Sequence, residues 1–389
     1  MRASERTRSK RGGFTLVELM IAVLAGGITV TAAYYLGSAS SKSFNNQMRT
    51  TATQSSLRSA MDQLRRDVTR AGFLSTPEAS LEQNCLGEPT ALANGTLLPV
   101  LRGASVAYNE SHTLSPASAT PLRTLLPDTR VDGLRMFGNY DDGDVYKITP
   151  DSTSSTLFFE ANRESFRRSF VSGLNDFNAA HFNEVFRVGR IVRIDSNQHK
   201  FFRQVAAADS AAGSITLDAP VTDACFNRTT ALVTPLSFVR YNVEVLTGAD
   251  FARIIATNSA RPGSASKAAL VRREFDYVNG SFLERSARVV LDYAVEFEVS
   301  PIVPGLTASS WATQTPPIAH AAYGSANLVP RGLRVTLSGR SEDVDATIVD
   351  PPPRAGPLLV FPVSIAGKTV YARVRTLRQE FFLPNMGVE

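Results

Sequence analysis

Among the residues of this 389-residue chain that could do chemistry, Glu18 has the most unusual setting. It is the one charge in residues 14–36, FTLVELMIAVLAGGITVTAAYYL. As a helix, those 23 residues rise about 35 Å, enough to cross a bilayer core of about 30 Å. An ionised acid one turn inside such a layer costs about 2.5–3.5 kcal/mol or less on insertion scales, so it needs a partner of opposite charge. Just before the run stands Gly13, whose missing side chain lets an extended backbone be drawn close to another molecule's reactive groups.

Elsewhere the chemistry is sparse. There is no P-loop, no G-x-G-x-x-G, no G-x-S-x-G and no H-E-x-x-H. His112, His181, His199 and His320 are scattered through polar or loop surroundings. Ser264 to Lys267 fits S-x-x-K but lies in a small-residue loop without the companion S-D-N or K-T-G elements. Asp141-Asp142-Gly143-Asp144 offers oxygen ligands for calcium without EF-hand spacing, and a charged hairpin turn is the plainer reading. Cys85 and Cys225 are too few for a zinc cluster. They suffice for one bridge in an oxidising compartment, although spacing alone does not pair them. No metal, cofactor or catalytic residue is expected, and the chain reads as non-enzymatic.

Charge and hydropathy say where such residues would sit. Of a net charge of +5, all but about one unit lies in residues 1–13, which hold Arg2, Arg6, Arg8, Lys10 and Arg11 against Glu5. The body is therefore nearly neutral and gives no reason to expect a nucleic-acid partner. A basic leader before an apolar run is held on the cytoplasmic side, which sends the rest across the membrane. An ordinary secretory signal cut near Ser38-Ala39-Ser40 is the alternative, but the apolar run exceeds the usual length and contains an acid.

A basic leader ending in Gly13, then Phe14-Thr15-Leu16-Val17-Glu18, resembles the prepilin signature of the type IV filament superfamily. The resemblance implies that a prepilin peptidase cuts between Gly13 and Phe14 and methylates the new amino group of Phe14. It also implies that Glu18 sets axial register against the freed ammonium of a neighbouring subunit. Major pilins often carry a proline where this chain has Tyr35.

The expected fold class is α+β, pilin-like: a long N-terminal helix, membrane-spanning and then amphipathic, packed on a large antiparallel β-rich head. The expected division is a leader at 1–13, a transmembrane part at 14–36, an amphipathic part at 37–72 and an extracytoplasmic head at 73–389. Phe44, Met48, Thr51, Ser55, Arg58, Met61, Leu64 and Val68 trace the stripe expected to face the head, and Gly72 marks the helix stop. Alternation predicts strands at Leu291 to Val299, Leu333 to Leu337 and Val370 to Val374. Shorter ones are expected at 131–137, 145–148, 156–159, 186–194, 201–205, 214–217, 236–245 and 269–275. Asp142-Gly143, Ala212-Gly213 and Asn279-Gly280 are the expected hairpin turns. Residues 76–128, 301–331 and 349–357 read as long loops.

Leu270-Val271-Arg272-Arg273-Glu274, the strand near 289–299, Gly332 to Leu337 and Tyr371 to Arg375 resemble the C-terminal half of PilW-type minor pilins. That resemblance implies assembly at or near the tip of a type IV pilus, with a role in initiating assembly and in adhesion, twitching and DNA uptake. The partners it implies are prepilin peptidase, other minor pilins and the major pilin, a large tip adhesin, and the inner-membrane assembly platform with its ATPase. Inner-membrane lipid surrounds the helix before assembly. Two alternatives stand beside it: a J-like pseudopilin of type II secretion, and a membrane-tethered periplasmic enzyme or binding protein.

Overall fold

The structure is a computed structural model that describes residues 15–77, 79, 85, 92, 101–107, 131–141, 143–172, 176–245, 268–276, 281–302, 330–342, 359–365 and 368–386. The fold is α+β, with a long apolar N-terminal helix and a large antiparallel β-rich head. Helix α1 runs unbroken over Leu16–Thr69, straight through Tyr35. The chain forms two compact units, one ending at Ala52 and the other starting at Thr53.

In the first unit, residues 16–36 of α1 are apolar on every side apart from Glu18: Leu16, Val17, Leu19, Met20, Ile21, Val23 and Leu36 are all more than half exposed. A helix apolar all round belongs in a membrane or among other apolar helices. The Thr29 and Thr31 hydroxyls donate to the Ala25 and Gly27 carbonyls, both at 2.8 Å, which satisfies them without water.

In the second unit the last four turns of α1 bury Leu57, Ala60, Met61, Leu64 and Val68. Within this unit the expected stripe is corrected at its start: Ser55 and Arg58 are exposed. The seam passes through Leu57 rather than Arg58, about 100° further round the helix.

Three sheets make up the head among the described residues, and every named strand pair in them is antiparallel. The largest contains β1 (Ala104–Ala107), β2 (Gly133–Gly138), β3 (Tyr146–Lys147), β4 (Thr156–Phe158), β7 (Ile191–Ser196), β8 (His199–Asp209), β9 (Ser214–Leu217), β10 (Leu232–Val245), β11 (Ala268–Asp276) and β12 (Ser281–Asp292). The second contains β13 (Ala294–Ile302), β14 (Gly332–Arg340), β15 (Val360–Ile365) and β16 (Lys368–Phe382), ordered β13-β14-β16-β15. A small hairpin joins β5 (Val171–Ser172) and β6 (Asp176–Phe177). Strand β10 organises the large sheet. Its first residues pair with β3 and β7, and its later ones with β2 and β11. Pro235 sits in the stretch after β3 ends and before β2 begins, where a missing N–H costs no ladder bond on that side.

Two cores result. In one, the α1 seam packs on Met136, Tyr241 and Leu270 of the large sheet and on Phe297, Val335 and Leu337 of the second. The other is an aromatic cluster, Tyr146, Phe159, Phe166, Phe170, Phe182 and Phe186, closed by α2 (Glu164–Phe170) and α3 (Ala179–Val185).

Several expected boundaries change. Phe186 ends α3 and β7 starts only at Ile191, because the aromatic side chain serves the cluster. The run 291–299 is not one strand. Tyr293 takes a left-handed φ of 55°, ending β12 and starting β13, so the chain passes from one sheet to the other. Both faces are then covered, and Ala294 and Glu296 are buried alongside Val295 and Phe297. Asp142 lies outside the described residues, and the strands flanking Asp142-Gly143, β2 and β3, both pair with β10 rather than with each other. Ala212-Gly213 does join paired strands, β8 and β9. Asn279 and Gly280 lie outside the described residues, between the paired strands β11 and β12. Of the expected long loops, 76–128 contains β1, and 303–329 and 349–357 lie outside the described residues.

The end of α1 is held by the far end of the chain. Gly72 has φ +72°, the left-handed conformation a helix stop favours. Asn385, in the turn Pro384–Met386, donates its amide to the carbonyls of Thr69 and Ala71 at 2.8 and 3.3 Å. Gly138 approaches so closely that a Cβ there would lie 2.7 Å from the Arg70 carbonyl. Asn385→Ala removes two bonds to helix-end carbonyls and is expected to cost about 1 kcal/mol. A urea midpoint shift of the full chain at unchanged slope measures it.

Candidate functional site

Gly13 and Phe14 lie outside the described residues, which begin at Thr15. Glu18 lies in the first turn of α1. Its carboxylate accepts from the Thr15 backbone N–H and from the Thr15 hydroxyl, both at 2.9 Å, while the Glu18 N–H donates to Thr15 Oγ1 at 3.3 Å. This reciprocal pattern is a capping box, which satisfies donors that every helix start leaves open. Thr15 was not among the expected site residues. The T-x-x-E spacing ahead of an apolar run was the signal for it. The carboxylate therefore has a local partner within its own subunit.

The structure joins Cys85 and Cys225, 140 residues apart in sequence, with Cα atoms 6.2 Å apart. They lie beside the aromatic cluster. The Asp141 and Asp144 carboxylates go to arginines: Asp141 pairs with buried Arg190 and accepts from the Ser237 hydroxyl, and Asp144 pairs with Arg168 and accepts from Ser169. Asp142 lies outside the described residues, as do His112, His320 and the Ser264 to Lys267 stretch. His181 is the third residue of α3, where its N–H donates to Asn178 Oδ1 at 3.0 Å, and His199 starts β8.

A polar cluster that sequence reasoning missed lies at the C-terminal end of α1. Asp67 accepts from Tyr241 Oη and from Arg272 Nε, both at 2.6 Å, and its backbone carbonyl accepts from Tyr140 Oη at 3.2 Å. Glu274 next door pairs with Arg187 at 3.0 Å and faces Arg190 at 3.8 Å. Burial would raise the Glu274 carboxyl, but these two arginines outweigh it and hold the group below its usual value. Burial and then the Asp67 charge push the Tyr140 and Tyr241 phenols well above their ordinary value of 10.0. Burial, with Glu342, pushes Tyr293 up to about 12.

Ionisation of these three phenols is therefore expected to be silent near pH 11 while the head stays folded. The stability they contribute is complete below the unfolded value of about 10 and declines as pH rises beyond it. Absorbance titration of the phenolate reads this. The step for three of the ten tyrosines should coincide with alkaline unfolding rather than precede it.

The prokaryotic N-terminal methylation motif matches residues 8–34 of the chain. No curated protein matches it. The match spans the basic leader, Gly13, Phe14 and Glu18, and it supports a prepilin of the type IV pilin and pseudopilin kind, with the peptidase processing that implies. Among the described residues one helix, α1, is long and apolar enough to cross a membrane. Motif and helix together are consistent with inner-membrane anchoring before assembly with other pilins.

Proposed function

We propose that this chain is a minor pilin of the PilW type, a structural subunit without enzymatic activity. The observation that carries the proposal is the methylation motif at 8–34, which covers the start of a helix whose residues 16–36 are apolar apart from Glu18. The peptidase cuts after Gly13 and methylates Phe14. Until assembly the helix holds the subunit in the inner membrane, with the leader cytoplasmic and the head periplasmic. In the filament, the apolar side chains left exposed on α1 pack against the helices of neighbouring subunits, and Glu18 meets a neighbour's Phe14 ammonium.

A head of residues 73–389 is large for a subunit repeated along a shaft, where neighbours crowd it from every side. A tip or priming position relieves that crowding. The partners there are other minor pilins, the major pilin and a tip adhesin, with the assembly platform below. Deletion and complementation test the assignment. Loss of twitching and DNA uptake with exoprotein release intact is the expected result. Blocked exoprotein release with twitching intact would instead assign the chain to a type II secretion pseudopilus as a J-like pseudopilin.

A further inference from the structure

Around the Asp67 cluster the second unit opens into a cleft of about 680 Å³ lined by Gln63, Arg66, Asp67, Arg70, Arg272 and Arg288, with Tyr140 and Glu274 behind them. Two pairs of like charges meet there. Arg66 stands in the last turn of α1 and Arg70 in the turn just after it, and both line the cleft. Like charges lining one cleft repel. Arg272 of β11 and Arg288 of β12 stand directly opposite each other in the antiparallel register, where like charges are also unfavourable. The carboxylates present do not offset this. Asp67 is taken by Arg272, and Glu274 by Arg187 and Arg190. Arg70 has only the Tyr140 carbonyl, at 3.2 Å, and among the described residues no carboxylate pairs with Arg66 or Arg288. Arg66 and Arg288 are both exposed.

We propose that this cleft is a docking socket for an acidic peptide segment of an adjacent subunit, whose carboxylates take Arg66, Arg70 and Arg288. Guanidinium forks recognise carboxylates through paired N–H donors, and the cations here come from three elements. The cleft has room for several side chains, whereas one small anion would fill a fraction of it. Complementary charge of this kind fixes register and partner choice more than raw affinity. The proposed filament role supplies only the source of the segment; the chemistry of the socket stands apart from it.

The test uses the full chain in detergent, titrated with fluorescein-labelled hexaglutamate and followed by polarisation. Binding is expected at low salt and should weaken as salt rises. Arg66→Glu with Arg288→Glu should weaken it at least about ten-fold. Arg163→Glu with Arg228→Glu changes net charge equally at residues that do not line the cleft, and should leave binding at the wild-type level. Arg66→Lys with Arg288→Lys, folded to the same melting temperature, keeps the charge but loses the fork and should bind more weakly than wild type and more tightly than the Glu pair. Absence of binding, equal loss in both reversals, or displacement by inorganic phosphate as effective as by unlabelled peptide would each overturn the proposal. The N-terminus of the same preparation is read separately, so a chain still beginning at Met1 would undo the pilin reading and leave the socket result standing.

Discussion

Glu18→Ala is expected to leave the chain cut after Gly13 and held in the membrane, yet to lower its incorporation into filaments at least about thirty-fold. Within the proposed filament, the acid pairs with a neighbour's ammonium in low dielectric, and its removal leaves that cation unpaired. Coupling of close charge pairs at interfaces runs from about 1.5 kcal/mol upward, and about 2 kcal/mol already gives thirty-fold. The capping box provides the internal control. Glutamine can still accept from the Thr15 N–H as the third residue of the box. Glu18→Gln should therefore keep the helix start and still lose incorporation. Normal incorporation of Glu18→Gln would reduce Glu18 to a cap. Filament fractions measured against membrane fractions by immunoblot separate the outcomes.

The largest effect on stability is expected at Asp67. Asp67→Ala leaves Arg272 and Tyr241 in a nearly closed setting without their common acceptor, Arg272 being 14% and Asp67 16% exposed at the side chain. Breaking a buried pair from one side costs about 3–5 kcal/mol, and residual exposure places this one near 3. The cost belongs to the orphaned charge rather than to the pair. The double variant Asp67→Asn with Arg272→Met should therefore recover more than half of it. Urea unfolding of the full chain in detergent measures both. If Asp67→Ala unfolds within about 0.5 kcal/mol of wild type, the cluster does not hold α1 to the head.

Local rules and long-range packing divide what the residues could disclose. Gly13, Phe14 and Glu18 stood out through their resemblance to the prepilin signature, and the methylation motif matched at 8–34 covers all three. Gly72 was legible because a left-handed residue at a helix end selects glycine. Strand β9 was legible from its alternation and bounding turns, and occupies the expected Ser214–Leu217. The seam of α1 was misread at Arg58 because period alone does not say whether the head or another molecule covers a given turn. Tyr293 gave no warning, since its left-handed conformation is imposed by the passage between two sheets and not by its own preference. The Asp67 cluster was out of reach altogether. Its partners come from positions 140, 241 and 272, and only the pairing of β10 with β11 beside the end of α1 brings them together.

The central claim is that a cut at Gly13 frees the amine that Glu18 awaits. Mass spectrometry of the N-terminal peptide of membrane-extracted protein tests it most directly. The expected peptide begins at Phe14 and carries one methyl group on its amine. A peptide beginning at Met1, or one cut near Ser40, would contradict the account.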